Sequence, residues 1–154
     1  MATDHPEKAC ELFAGGYNCA QSVFTAFCDV TGMDTETALK LSSGFGGGMG
    51  RMREVCGACS AMFMVLGMLY GTGESFTFED KTEHYTRIQA AAEDFKEKHG
   101  TIICRELLKG LNVTSDPTPE HRTAKYYKAR PCIRFVNTAA EIIDRYIAEH
   151  PVTA

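Results

Sequence analysis

Four things are missing from this sequence: strand-like alternation, a basic face, an export leader, and an apolar run long enough to cross a bilayer. Without period-two alternation of apolar and polar residues, no sheet is expected and the fold class is all-α. Lys and Arg number 16 against 20 Asp and Glu, for a net charge of −4, and they are spread along the chain. Nucleic-acid binders concentrate positive charge, so that class is excluded. The opening Met1-Ala2-Thr3-Asp4-His5-Pro6 has no apolar core or small-residue cleavage site, so a cytoplasmic protein is expected. The longest apolar run, Ala58 to Gly71, falls short of a membrane span and holds Ser60 and Gly67, so it reads as a buried core helix with no membrane insertion. At 154 residues and 44% apolar content, the expectation is one domain over 1–154.

What is plentiful is cysteine and glycine. Seven cysteines occur at positions 10, 19, 28, 56, 59, 104 and 132. An odd number without a leader argues against a disulfide framework. Some will pack as small apolar residues, yet seven is more than packing needs.

Helix signals divide the chain into a compact bundle of about six to seven helices. Asp4 with Pro6 and Glu7 starts one that Gly15-Gly16 ends. Asn18 with Gln21 opens a second, expected to run on towards Gly32, and Asp34 caps a short third. The glycine-rich run Gly44-Phe45-Gly46-Gly47-Gly48-Met49-Gly50 precedes a central helix expected from about Arg53 to Tyr70. Gly57, Ala58 and Ala61 keep part of that helix thin enough for another backbone to approach. Further helices are expected over Glu79 to Lys98 and Ile102 to Lys109, and as two C-terminal pieces broken at Pro131. Leu111 to Glu120 reads as loop.

The glycine run fits no nucleotide-binding frame, because Met49, Arg51 or Arg53 falls where glycine is required. Two readings stay open for it. It is a flexible turn between packed helices, or its backbone N–H groups at Gly46, Gly47 and Gly48, reinforced by Arg51 and Arg53, favour negative charge on a nearby ligand or sulfur. On the second reading Cys56, placed in the first helical turn, is expected to be the most acidic of the seven thiols.

Cys19 and Cys28 lie nine residues apart on one expected helix and so face opposite ways. Cys56 and Cys59 share a face. Cys19, Cys56, Cys104 and Cys132 all fall near expected helix N-termini, where thiolates are stabilised, and they form a natural set. Paired C-x-x-C units of a zinc ribbon and the ferredoxin run are absent. The five histidines form no pair at i, i+4 and read as surface residues, and the methionines read as core filler.

Gly16-Tyr17-Asn18-Cys19-Ala20-Gln21, the glycine run leading to Val55-Cys56-Gly57-Ala58, Cys104-Arg105-Glu106-Leu107-Leu108, and Cys132 together resemble the C-GCAxxG-C-C family of redox-active proteins. The resemblance implies that Cys19, Cys56, Cys104 and Cys132 are the four family cysteines. Ala61 stands in place of the last motif glycine, and Cys59 occupies the first variable position. A related domain occurs fused in split-Soret cytochromes with an iron–sulfur centre, and this likeness, not spacing, points to a cluster.

Three functions follow as expectations. The first is an electron carrier with an iron–sulfur cluster, [2Fe–2S] by preference, on Cys19, Cys56, Cys104 and Cys132, which requires a redox partner protein. The second is a thiol–disulfide protein in which Cys56 attacks and Cys59 or another family cysteine resolves. The third is a structural zinc or soft-metal site on the same four thiolates. A homo-oligomer is compatible with each.

Overall fold

Caps written into the sequence set most helix boundaries. The structure, a computed structural model, describes residues 3–152, so the outermost ends of the unit expected over 1–154 lie outside the described residues. Helix α1 (His5–Ala14) starts where the Asp4 carboxylate accepts the Glu7 N–H at 2.9 Å. Helix α2 (Cys19–Ala26) starts on a reciprocal capping box between Asn18 and Gln21. It breaks at Phe27, short of the expected end, and a single turn α3 (Cys28–Thr31) continues to Gly32. Asp34 caps α4 (Thr35–Ser42), and one 3₁₀ turn, Ser43–Phe45, follows.

The central helix α5 (Gly57–Tyr70) begins four residues later than expected. Three non-glycine residues before it, Met49, Arg51 and Arg53, have φ of 66°, 66° and 62°, and Gly47, Gly48 and Gly50 share that left-handed region. The segment is a left-handed coil closed by long-range backbone bonds, such as Glu54 N–H to Gly48 O at 2.8 Å. A right-handed helix cannot include Arg53 in that conformation. Residues 54–56 then run extended against 102–104, with Val55 bridged antiparallel to Ile103.

Thr77 and Asp80 form the capping box of α6 (Phe78–His99), which ends at a left-handed Gly100. Single-turn α7 (Cys104–Leu107), short α8 (Ala124–Ala129) and long α9 (Cys132–Glu149) complete the chain. Six of these helices reach eight residues or more, and no sheet forms among the described residues. The all-α bundle expected from the sequence is the observed fold.

Helices α2 and α5 form the centre, with α1, α4, α6 and α9 packed around them. Val23, Phe24, Phe27, Met62, Leu66, Phe95, Val136 and Ile143 are fully buried there. Each such side chain contributes about 1.5–3 kcal/mol relative to exposure. The first ten residues of α5 are buried almost all round, which explains why that stretch is so apolar. No helix among the described residues is long and apolar enough to cross a membrane.

One histidine departs from expectation. His5 is buried, stacks on Phe27 at 4.1 Å, and bridges Asp144 (2.6 Å) and Asp29 (2.9 Å). It ties α1 to α9 and α3 and is a core residue, not a surface one.

Candidate functional site

The antiparallel pairing of 54–56 with 102–104 assembles half of the site. The Cys56 N–H donates to Ile102 O at 2.7 Å, and the Cys104 N–H donates to Glu54 O at 2.6 Å. Cys56 and Cys104 therefore sit on diagonal positions of one face of this short ladder, about 7 Å apart. Cys104 is also the first residue of α7, and Cys56 is the residue just before α5, with extended φ and ψ of −50° and 131°.

Helix α2 brings Cys19 against this pair. A Cβ placed on Gly57 would lie 2.5 Å from the Cys19 sulfur and 2.8 Å from Phe45 O, so only glycine permits the approach. Cys132 follows Pro131, which ends α8, and begins α9. All four cysteines line one small cavity of about 50 Å³, also lined by Phe13, Phe135 and Leu108. Cys10, Cys28 and Cys59 do not line it. Cys10 faces Ile133 O and Asn137 on the outer side of α9. Cys59 lies buried inside α5, where it hydrogen-bonds Cys56.

Two opposed influences act on these sulfurs. Burial pushes the Cys19 thiol up to about 12, and the neighbouring Cys56 and Cys104 add to the rise. Cys132 is raised by the same causes, burial first and then Cys19, Cys56 and Cys104. Against this, the backbone N–H groups of Gly47 and Ala20 act on the Cys19 thiol, and those of Cys59 and Ala58 on the Cys56 thiol, in the lowering direction. Such donors favour anionic sulfur.

The Cys56 expectation is corrected. Its thiol is raised well above the ordinary cysteine value, by the hydrogen bond to Cys59 and then by burial. Neither arginine reaches it. Arg53 donates to the Cys104 sulfur at 3.8 Å, and Arg51 turns outward to the carbonyls of Asp116 and Thr118. Lying one position before the helix, Cys56 gains from two N–H groups but loses more through its surroundings.

The glycine run is neither a loose hinge nor an open cradle. Gly47 supplies the N–H to Cys19. A Cβ on Gly48 would meet Cys104 Cβ at 2.7 Å and Glu54 N at 2.6 Å. Gly46 packs against the Asn18 side chain. The segment is a spacer-free wall between Cys19 and Cys104. Residues the sequence reading passed over also surround the centre: Arg130, Arg122 and Tyr126. Only their proximity to Pro131 and Cys132 in the chain could have flagged them.

Among the described residues, no three of His, Cys, Asp and Glu gather closely enough to hold one metal ion.

The family described as "Putative redox-active protein (C_GCAxxG_C_C)" matches residues 17–146. The match carries no relationship to a cytochrome. No curated protein and no solved structure matches the chain.

Proposed function

The chain belongs to the C_GCAxxG_C_C family, and from that premise we propose that Cys19, Cys56, Cys104 and Cys132 form one redox centre and hold an iron–sulfur cluster for one-electron transfer. The observation that carries this reading is that four cysteines, from four separate segments, line one small cavity.

The conflict at the sulfurs supports it. Four thiols packed together out of water stay protonated, yet N–H donors already aim at two of them. Thiolates at these four positions would be offset by the positive charge of a polynuclear iron–sulfur core, and the N–H groups would then bond ligand sulfur. When bound, the cluster would supply one-electron chemistry, with [2Fe–2S] the type we favour. The chain's own residues would set its environment. Gly47, Ala20, Ala58 and Cys59 would donate hydrogen bonds that stabilise added negative charge, Arg53 would offset charge at Cys104, and Phe13 and Phe135 would exclude water. The centre would exchange its electron with a partner protein.

The Cys56–Cys59 contact favours a second reading, a thiol–disulfide pair. Burial weighs against it, because Cys56 is 5% exposed and Cys59 fully enclosed, so neither can readily attack a protein disulfide.

Protein made and kept without oxygen tests the proposal through its visible spectrum and its iron and sulfide content. Iron and sulfide are expected together, lost in Cys19→Ser and Cys132→Ser and retained in Cys28→Ser and Cys59→Ser. Protein free of iron and sulfide under these conditions would overturn the cluster and leave the thiol pair.

A further inference from the structure

Next to the cysteine cavity lies a larger, open pocket of about 420 Å³. Asn18, Gly47, Arg53, Arg122, Tyr126 and Arg130 line both. Its charge runs opposite to that of the whole chain. The guanidinium groups of Arg51, Arg53, Arg122 and Arg130 face it with the single carboxylate of Glu120, in a protein of net charge −4.

The partners of these arginines are unevenly shared. Glu120 serves two of them, pairing with Arg130 and lying 3.7 Å from Arg51. Arg51 has Asp116 as well, at 3.6 Å. Among the described residues Arg53 and Arg122 have no carboxylate. Arg53 Nε donates to Thr114 O at 2.9 Å, and Arg122 reaches only Phe13 O, at 3.5 Å. Arg122 is held in place by the faces of Phe13 and Tyr126, each 4.8 Å away. Side chains of Arg51 and Arg130 are 15% and 7% exposed.

Holding four guanidinium groups together, with Arg51, Arg53 and Arg130 nearly out of water, is unfavourable through both repulsion and lost hydration. The backbone adds strain, since Arg51 and Arg53 both occupy the left-handed region, at about 1 kcal/mol each. Strain and like charge concentrated on one concave surface are characteristic of a site completed by a counter-anion. Planar guanidinium forks match the oxygens of carboxylate and phosphate groups.

We propose that this pocket binds the oxyanion group of a small molecule, carboxylate or phosphate, between Arg53, Arg122 and Arg130, beside the cysteine cavity. Glu120 is the internal carboxylate that occupies part of the site when the ligand is away. The loop it belongs to is clasped by Arg53 through the carbonyl of Thr114 and by Arg51 through those of Asp116 and Thr118, so the ligand enters beneath a strap already anchored at the pocket. The site does not depend on whether the cysteines hold a metal.

Calorimetric titration of the full, reduced chain at low salt, with inorganic phosphate and malonate as probes, tests this. At least one probe is expected to bind with a Kd of about 1 mM or tighter, and more weakly as salt rises. Arg122→Gln should weaken binding about tenfold or more, because a charge-assisted contact is lost. Glu120→Gln should tighten it about threefold or more, because a competing charge is removed. Phosphate bound without malonate assigns a phosphate ester as the ligand class, and the reverse assigns a carboxylate. Arg51→Gln would loosen the strap and is uninformative by itself, so Arg122→Gln and Glu120→Gln carry the test, with far-UV circular dichroism checking their fold. The proposal is overturned if neither probe binds at about 10 mM, if Arg122→Gln binds as tightly as the natural chain, or if Glu120→Gln binds no more tightly.

Discussion

Two glycines of α5 give opposite outcomes when changed to alanine, and the structure says which is which. Alanine is a better helix former, so any Gly→Ala in a helix gains up to about 1 kcal/mol if the new methyl group fits. At Gly67 it fits: the nearest atom outside the helix backbone is His84 Nε2 at 4.0 Å. Gly67→Ala should therefore raise stability by about 0.5–1 kcal/mol. At Gly57 the methyl would stand 2.5 Å from the Cys19 sulfur, 2.8 Å from Phe45 O and 3.1 Å from Ala20 N. Non-bonded atoms are comfortable at about 3.5–4.0 Å, so the sulfur must retreat by about 1 Å. Two of the three neighbours are backbone and resist the move. Overpacking of this kind costs about 1–3 kcal/mol, which leaves Gly57→Ala destabilised by about 1–2 kcal/mol after the helix gain. For a chain this long, 1 kcal/mol moves Tm by about 2–4 °C. Thermal unfolding of the three proteins should place Gly57→Ala about 3–6 °C below the natural chain and Gly67→Ala about 2 °C above it. Gly57→Ala should also hold less iron when made without oxygen, because Cys19 is displaced. If both variants shift Tm in the same direction, the close approach of α2 to α5 is not what holds the Cys19 sulfur in place.

Other perturbations have equally definite signs. Iodoacetamide at pH 8, followed by peptide mass analysis of metal-free protein, should modify Cys28 and Cys10 before Cys56, since both are part exposed and Cys56 is buried and raised; early labelling of Cys56 would contradict the burial argument. Phe24→Ala empties the contact between α2 and its neighbours and should cost about 3–5 kcal/mol by urea unfolding. His99 is held below the usual histidine range by burial, then by Arg134 and Lys98. The folded protein thus binds fewer protons than the unfolded one near pH 6.5, and stability falls as pH drops through that value. His99→Gln should flatten the decline of Tm between about pH 7.5 and 5.5, and an unchanged slope would remove His99 from the account.

Most of the fold was legible because its punctuation is local. Asp4, the Asn18–Gln21 box, Asp34, Gly100 and Pro131 each act on residues within one turn, so their effects can be read from neighbours in the chain. The misplaced boundary of α5 has the opposite origin. Nothing within a few residues of Arg53 forbids a helix there. What excludes it is the pairing of 54–56 with 102–104, almost fifty residues away, and the left-handed coil that delivers the chain to that pairing. Periodicity is blind to such contacts. His5 illustrates the same limit, since its carboxylate partners come from α9 and from the single turn after Phe27.

The positions of the candidate cysteines and their electrostatics differ in how far the sequence reveals them, and the difference has one cause. Placement at a helix start can be read from caps and breakers, and the four cysteines it groups all line one cavity. Thiol acidity depends on what surrounds the sulfur, and a helix N-terminus is only one contributor. At Cys56 two N–H donors are outweighed by Cys59 and by exclusion of water. The arginine expected to help it serves Cys104 instead, because the left-handed backbone at Arg53 turns its side chain towards that sulfur and the loop beyond. A thiol buried this deeply is a poor nucleophile while it is free. The same burial becomes useful once a cation shares the cavity, because low polarity strengthens every attraction between cation, thiolate and N–H dipole. The arrangement that defeats the simple acidity argument is therefore also the one on which the proposed centre rests.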